Sequence, residues 1–265
     1  MIHWINSAED SRLEPYRHVG DPEWIRRQDL FVAEGRLVVE RLIDLDRYEI
    51  ESILVNRAAH DALIERLSSV DTSVYVCDDS ALAAITGFNF HRGCLALVVR
   101  PAPLAPDALA AARRILALEG VGNPDNVGGL FRTAAAFGVD AILLNHSSGD
   151  PFYRKAIRTS MGAALRVPFV RVQERNWLTT LDHHRSRRFT IAALTPSVGS
   201  EPLADFVARF DKRERLMILV GAEGQGLNSE TLAHADARVR IPLDSTVDSL
   251  NVVVAAGIAL HALNR

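Results

Sequence analysis

The chain has 265 residues, 48% of them hydrophobic and 24% charged, which is ample for two packed domains and ordinary for a globular protein. No stretch approaches the roughly twenty apolar residues of a membrane helix, and Met1 to Asp10 carries Glu9 and Asp10 with no apolar core, so neither a membrane partner nor a signal peptide is expected and the cytoplasm is the expected location. A net charge of −3 gives no overall basic footprint of the kind that phosphate binding usually leaves.

In chain order, residues 1–20 show no clear period and read as a loosely packed arm. Asp21-Pro22 opens a helix with proline at its first position. Leu30 to Ala33 is a short apolar run ending at Glu34-Gly35, and Leu37, Val38, Leu42, Ile43 and Leu45 then fall at helical spacing. Ile50–Val55 and Ser73–Val76 read as strands, Ala58–Leu67 as a helix, and Asp79–Ile85 as a short helix capped by Asp78 or Asp79. Gly87 to Arg92 reads as a loop before a strongly apolar strand, Gly93–Val99. Residues 1–100 thus form a small α/β domain. Three prolines within Pro101–Pro106 suit neither helix nor strand and mark a linker over 101–110.

From 111 to 265 the pattern alternates. Strands are expected at Arg114–Leu118, Ala141–Leu144, Val167–Val170, Phe189–Leu194, Leu216–Val220 and Ala237–Ile241. Helices are expected at Asn126–Phe137, Phe152–Met161, Trp177–His184, Leu203–Phe210 and Ser229–His234, with a long final one from Asp248 to Leu263. Short apolar strands alternating with helices predict an α/β domain with a parallel sheet covered on both faces. Ligands of such sheets bind beyond the carboxyl ends of the strands, so the loops there hold the candidate chemistry.

Three of those loops are unusual. The first runs from Glu119 to Thr133 (Glu119-Gly120-Val121-Gly122-Asn123-Pro124-Asp125-Asn126-Val127-Gly128-Gly129-Leu130-Phe131-Arg132-Thr133); Gly128 and Gly129 in the first turn of its helix cost about 1 kcal/mol each relative to alanine, so either a ligand or another helix approaches that backbone closely. Arg132 lies six residues after Asn126, within reach back toward it. Gly221, Gly224 and Gly226 follow a strand directly, in an order that is not the GxGxxG of a dinucleotide fold and without a phosphate-loop Gly-Lys-Ser/Thr. In Asp248-Ser249-Leu250-Asn251 a polar patch opens an otherwise apolar helix. Asp248 or Ser249 is a candidate N-cap, but capping by either leaves Asn251, inside the first turn, unexplained.

Taken together and in this order, Asn123 to Ala134 (Asn-Pro-x-Asn-Val-Gly-x-x-x-Arg-Thr-Ala), Gly221 to Leu227 (Gly-x-Glu-Gly-x-Gly-Leu) and Ile241-Pro242-Leu243 with Ser249 to Ile258 resemble the TrmH/SpoU branch of the SPOUT superfamily of RNA methyltransferases. The resemblance covers the second domain in full. Val32–Gly35 and Phe90–Ala96 are similar, more weakly, to the ribosomal-protein-like RNA-binding domain that often precedes it. The resemblance implies a trefoil-knotted catalytic domain, S-adenosylmethionine as cofactor, an RNA ribose 2′-hydroxyl as methyl acceptor, and a homodimer through the knotted domain whose site borrows residues from both chains. It implies cofactor contacts at Leu194, Thr195, Gly199, Gly221, Glu223, Gly226, Ile241 and Leu250, and a catalytic set of Arg132, Asn126, Glu223, Ser249 and Asn251. The family gives the arginine the role of activating the hydroxyl. A guanidinium is a poor base, so holding the adjacent phosphate and stabilising the forming alkoxide is the competing role for Arg132. Glu223 could orient Arg132 or a substrate group.

Ribosomal RNA is favoured over transfer RNA because a separate N-terminal domain is present; a ribosome-protecting antibiotic-resistance enzyme, and a non-catalytic RNA-binding protein of the same fold, stay open. A dehydrogenase lacks its glycine turn and its acidic residue about twenty positions on. Lys155 and Lys212 are the only lysines, so the positive charge is arginine, clustered at Arg26–Arg27, Arg185–Arg187–Arg188 and Arg213–Arg215. Such clusters suit phosphate, provided they share a face. Cys77 and Cys94 have no CxxC spacing, which argues against zinc, and Cys94 reads as core.

Overall fold

The first half builds β1 (Ile2–Trp4), α1 (Glu14–Arg17), α2 (Pro22–Arg27), β2 (Leu30–Glu34), α3 (Arg36–Leu45), β3 (Ile50–Asn56), α4 (Arg57–Ser69), β4 (Ser73–Cys77), α5 (Asp79–Thr86) and β5 (Cys94–Val99). The second builds β6 (Arg114–Glu119), α6 (Pro124–Ala136), β7 (Ala141–Leu144), α7 (Arg154–Thr159), β8 (Phe169–Arg171), α8 (Trp177–Ser186), β9 (Phe189–Leu194), β10 (Glu201–Pro202), α9 (Leu203–Arg209), β11 (Arg215–Gly221), α10 (Ser229–Ala233), β12 (Ala237–Arg240) and α11 (Val252–Asn264). The structure, a computed structural model, describes residues 1–87, 93–197, 199–211 and 213–264. By packing it divides into two units, Met1–Ala102 with Phe152–Leu165, and Pro103–Pro151 with Arg166–Arg265.

In the first unit a five-stranded mixed sheet runs β1-β4-β3-β5-β2, with β5 antiparallel to both its neighbours. The first twenty residues are not a loose arm. Ile2–Trp4 pairs with β4 as an edge strand, and Leu13, Tyr16 and Val19 are buried in the core with Leu54, Leu95 and Leu97. The Tyr16 hydroxyl bonds Ser52 Oγ at 2.8 Å. A three-residue strand and single-turn helices are too short to display a period, which is why the pattern was silent there. Asp21 caps α2 as expected, accepting from the amides of Glu23 and Trp24. The Gly87–Arg92 loop and the Phe90–Arg92 part of the N-terminal resemblance lie, from Phe88 on, outside the described residues.

The segment Phe152–Leu165 falls inside the expected 111–265 domain but packs with the first unit. Phe152 stacks on Phe31 with centroids 4.7 Å apart. Glu34, 4% exposed, accepts from Arg158 Nη1 at 3.2 Å on both oxygens and has Arg154 Nε at 3.5 Å. A buried carboxylate needs this company, because removing one partner of a buried pair strands the other charge.

The second unit holds a seven-stranded, all-parallel sheet in the order β10-β12-β9-β11-β6-β7-β8. Its central strands are apolar and almost wholly buried, as in β6 and β11, which is what coverage on both faces demands. The chain leaves β6 toward β7 and β8, then crosses back to β9 on the other side of β11. The gap between β6 and β11 is therefore a switch point, where parallel sheets bind ligands. The close approach inferred for Gly128 and Gly129 is made, at Gly129, by another helix: a Cβ there would stand 2.7 Å from Val253 Cγ2 of α11. The final helix starts at Val252 and not at Asp248. Asn251 is its capping residue, taking the amide of Val253 on Oδ1 at 2.9 Å, so neither Asp248 nor Ser249 has that role. Cys77 and Cys94 are buried and free; burial raises the thiol pKa of both.

Within this unit His184 of α8 is buried against Phe189, and neither ring nitrogen has a partner among the described residues. Burial, then the charges of His183, Arg187 and Arg215, pushes its pKa down to about 4. The unfolded chain binds the proton more readily, so stability is complete above an ordinary histidine pKa of about 6.5 and is lost as pH falls toward 4. His184→Leu is therefore expected to stabilise the protein by at least about 1 kcal/mol at pH 5, because the folded state there no longer has to keep an imidazole unprotonated. The gain should shrink toward pH 8. Urea midpoints at the two pH values check this; an equal or inverted gain would refute it.

Candidate active site

The carboxyl ends of β9, β11 and β12 and the segment leading into α11 enclose a cavity of about 390 Å³, within the range of small-molecule sites. Leu194, Thr195, Gly221, Glu223, Gly226, Ile241 and Leu250, seven of the eight residues for which the resemblance implies cofactor contact, line it. Gly199, expected with them, does not. The walls between these residues are supplied by Val220, Val239, Leu243, Val252 and Ala255, which motif reading passed over because single apolar residues beside a motif look like core.

Each feature has a local cause. The amide of Thr195 bonds the carbonyl of Val239 at 2.9 Å, and Thr195 Oγ1 lies 2.7 Å from Ser197 Oγ. Residues 221–226 fold back on themselves: Ala222 and Gly226 form an isolated bridge, with the Gly226 amide on the Ala222 carbonyl at 2.9 Å. Gly221 has to be glycine. A Cβ on it would lie 2.3 Å from the carbonyl carbon of Gly226 and 2.4 Å from the amide nitrogen of Leu227, and both are main chain.

Three of the expected catalytic residues are joined by one amide. Asn251 Nδ2 donates to Asn126 Oδ1 at 3.0 Å and to Glu223 Oε1 at 2.8 Å, while its Oδ1 accepts from Val253. All three contacts suit one amide orientation, since a flipped side chain would oppose donor to donor. Motif one (Asn126 on α6), motif two (Glu223) and motif three are thus brought to one point by Asn251, which accounts for the residue that capping at Asp248 or Ser249 left over. Ser249 lines the cavity and is exposed. Arg132 stands apart: it is exposed on α6, outside the cavity lining, with no hydrogen-bond or ion-pair partner among the described residues. It does not reach back to Asn126, and Glu223 holds Asn251 instead of orienting it.

An apolar slot with strand-end peptide groups, a glycine loop and one carboxylate at its rim fits a flat heteroaromatic group carrying a polar tail. Of the arginine clusters, Arg185 is tied to Asp236 at 3.0 Å and Asp182 at 3.1 Å, Arg213 to Asp211, and Arg215 lies over the Phe189 ring. These three arginines have partners on their own surface; Lys212 lies outside the described residues.

Fold, cavity and joined side chains together define a parallel α/β domain with a small-molecule site at the carboxyl ends of its strands. Residues 113–261 match the SpoU rRNA Methylase family, and the chain belongs to that family. It is 36% identical, over 98% of its length and 91% of the relative's, to a Mycobacterium bovis protein described as an uncharacterized tRNA/rRNA methyltransferase. It is 26% identical, over 98% of both chains, to the 23S rRNA (guanosine(2553)-2′-O)-methyltransferase RlmP of Bacillus subtilis. Its fold is that of an AdoMet-bound rRNA methyltransferase from Sinorhizobium meliloti, with a TM-score of 0.82, 24% identity, and coverage of 99% of this chain and 97% of that one. No helix among the described residues is long and apolar enough to cross a membrane.

Proposed function

We propose that this protein is an S-adenosylmethionine-dependent RNA ribose 2′-O-methyltransferase acting on ribosomal RNA in the cytoplasm, as a homodimer. The observation that carries the reading is the Asn126–Asn251–Glu223 junction at the mouth of a cavity lined by seven of the eight expected cofactor residues. Leu194, Ile241 and Leu250 would hold the adenosine, and the main chain around Gly221 and Gly226 the rest. The cofactor, when bound, supplies a methyl group on a sulfonium.

The chain's own residues do the remainder. Asn251 fixes Glu223 and Asn126 relative to each other. The apolar walls exclude water, which strengthens any charge interaction inside. Arg132 contacts the phosphate next to the acceptor ribose and stabilises the negative charge that develops on the 2′-oxygen as it attacks the methyl group. Its place outside its own chain's cavity supports a site completed across two copies, and so do Val254 and Ile258, one turn apart on α11 and both exposed. The first unit supplies RNA affinity. The full-length relative named as a 23S rRNA enzyme supports ribosomal over transfer RNA.

The test is methyl transfer from labelled S-adenosylmethionine to total ribosomal RNA and, separately, total transfer RNA, followed by nucleoside analysis. Label in a 2′-O-methyl nucleoside of ribosomal RNA is the expected result. Label confined to transfer RNA would replace the substrate, and label on a base would overturn the reaction.

A further inference from the structure

Glu119 ends β6 and faces Gly221 of β11 in the sheet register. Its side chain is buried, at 8% exposure, yet it has no cationic partner among the described residues. Both oxygens instead accept from neutral donors. Oε1 takes the amide of Asn228 at 2.8 Å. Oε2 takes the indole Nε1–H of Trp177 at 2.8 Å, an indole that also reaches Thr231 Oγ1 at 3.1 Å. Gly221 and Asn228 are the two ends of the glycine loop, and the residues between them form one wall of the cavity. The main chain of Glu119 therefore lies opposite the start of that loop, and its carboxylate holds the loop's end.

We propose that Glu119 is a positioning residue that closes the base of the glycine loop and thereby sets the affinity for S-adenosylmethionine without touching it; the inference rests on the cofactor reading given above. The chemistry favours a carboxylate specifically. Ionised, it only accepts, and here two fixed donors converge on it. Glutamine has the same shape but must turn its NH₂ toward one of them. If it faces Asn228, the loop end is pushed away; if it faces Trp177, two N–H groups oppose each other in a buried site, a cost that no solvent offsets. Removing the indole relieves the second arrangement, because the amide can then turn its carbonyl to Asn228 and its NH₂ to the space left behind.

The experiment uses the full-length protein and three variants, Glu119→Gln, Trp177→Phe and the two combined, with thermal midpoints to establish folding. Calorimetric titration with S-adenosylmethionine is expected to show E119Q binding at least about 10-fold more weakly than wild type. W177F should stay within about 3-fold, and the double variant should return close to W177F. Amide hydrogen exchange at Asn228, in the absence of cofactor, should be fastest in E119Q and slowed again in the double variant. Unchanged affinity in E119Q, or a loss that persists undiminished in the double variant, would overturn the proposal, since a merely structural or purely electrostatic role predicts no rescue. If wild type itself fails to bind S-adenosylmethionine, the cofactor reading falls. The exchange pattern at Asn228 then still decides whether Glu119 closes the loop.

Discussion

Gly221→Ala is expected to weaken S-adenosylmethionine binding by at least about 100-fold while leaving the protein folded. The added methyl would meet the carbonyl carbon and oxygen of Gly226 and the amide nitrogen of Leu227 at 2.3–2.5 Å, far inside van der Waals contact. These are main-chain atoms of the loop's return limb and cannot rotate aside as a side chain would, so the bridge between Ala222 and Gly226 has to open. That bridge shapes one wall of the cavity. Gly221 is the last residue of β11, so the damage falls on the loop and not on the sheet. Gly122→Ala is the matched control: nothing lies within 4 Å of its Cβ position and its φ is not positive, so its affinity should stay within about 2-fold. Calorimetry gives the constants. Thermal midpoints give an independent reading, because a ligand that binds only the folded state raises the midpoint: cofactor at about ten times the wild-type Kd should do so for wild type and Gly122→Ala but scarcely for Gly221→Ala. Wild-type affinity in Gly221→Ala would show that the loop's closed form is not the form that binds.

The parts of this site that could be read from residues alone were those with chemistry in a short span. The strands of the second sheet are legible because burial on both faces leaves continuous apolar runs such as Ile115–Leu118 and Leu216–Val220. The glycines at 129 and 221 announce a close approach, since glycine inside a helix or at a strand end is costly without one; what approaches Gly129 is Val253 of a helix more than a hundred residues later, and no local pattern shows that. Asn251 was recognisable as unexplained but not as a bridge, because its partners Asn126 and Glu223 come from two other segments. Glu119 opens the first of the unusual loops but has no role legible from sequence: one carboxylate at the end of a strand looks like a surface residue until Trp177 and Asn228 are seen to converge on it. The first twenty residues were misread for the opposite reason, since a three-residue edge strand and two short turns bury Leu13 and Tyr16 without any period. Phe152–Met161 reads as one more crossover helix of the parallel domain, and the stack of Phe152 on Phe31 with the burial of Glu34 against Arg154 and Arg158 shows that its packing belongs to the first unit.

Arg132→Ala is expected to lower the rate of methyl transfer by 10²-fold or more, about the loss seen when one preorganised charge stabiliser is removed, with affinity for S-adenosylmethionine unchanged because Arg132 does not line the cavity. Arg132→Lys separates the two roles open to it. A guanidinium that clamps phosphate and forming alkoxide loses its two-pronged contact on exchange for an ammonium, so the rate should fall while its pH dependence keeps its shape. If the side chain instead removed the proton, lysine with its lower intrinsic pKa would shift the profile toward neutral pH. The exposure of Arg132 outside its own cavity makes a further demand. If each site combines one chain's glycine loop with the other chain's arginine, then Arg132→Ala and Gly221→Ala damage different halves of it. A heterodimer of the two variants, co-expressed with distinct tags and purified through both, holds one site with both defects and one with neither. Assayed at cofactor well below the Kd of Gly221→Ala, it should show about half the wild-type activity, although each variant alone retains only about a hundredth, as follows from the two-fold relation between identical subunits. A site built within one chain leaves every site of that heterodimer with a defect, and activity at background would assign Arg132 to its own chain's cavity.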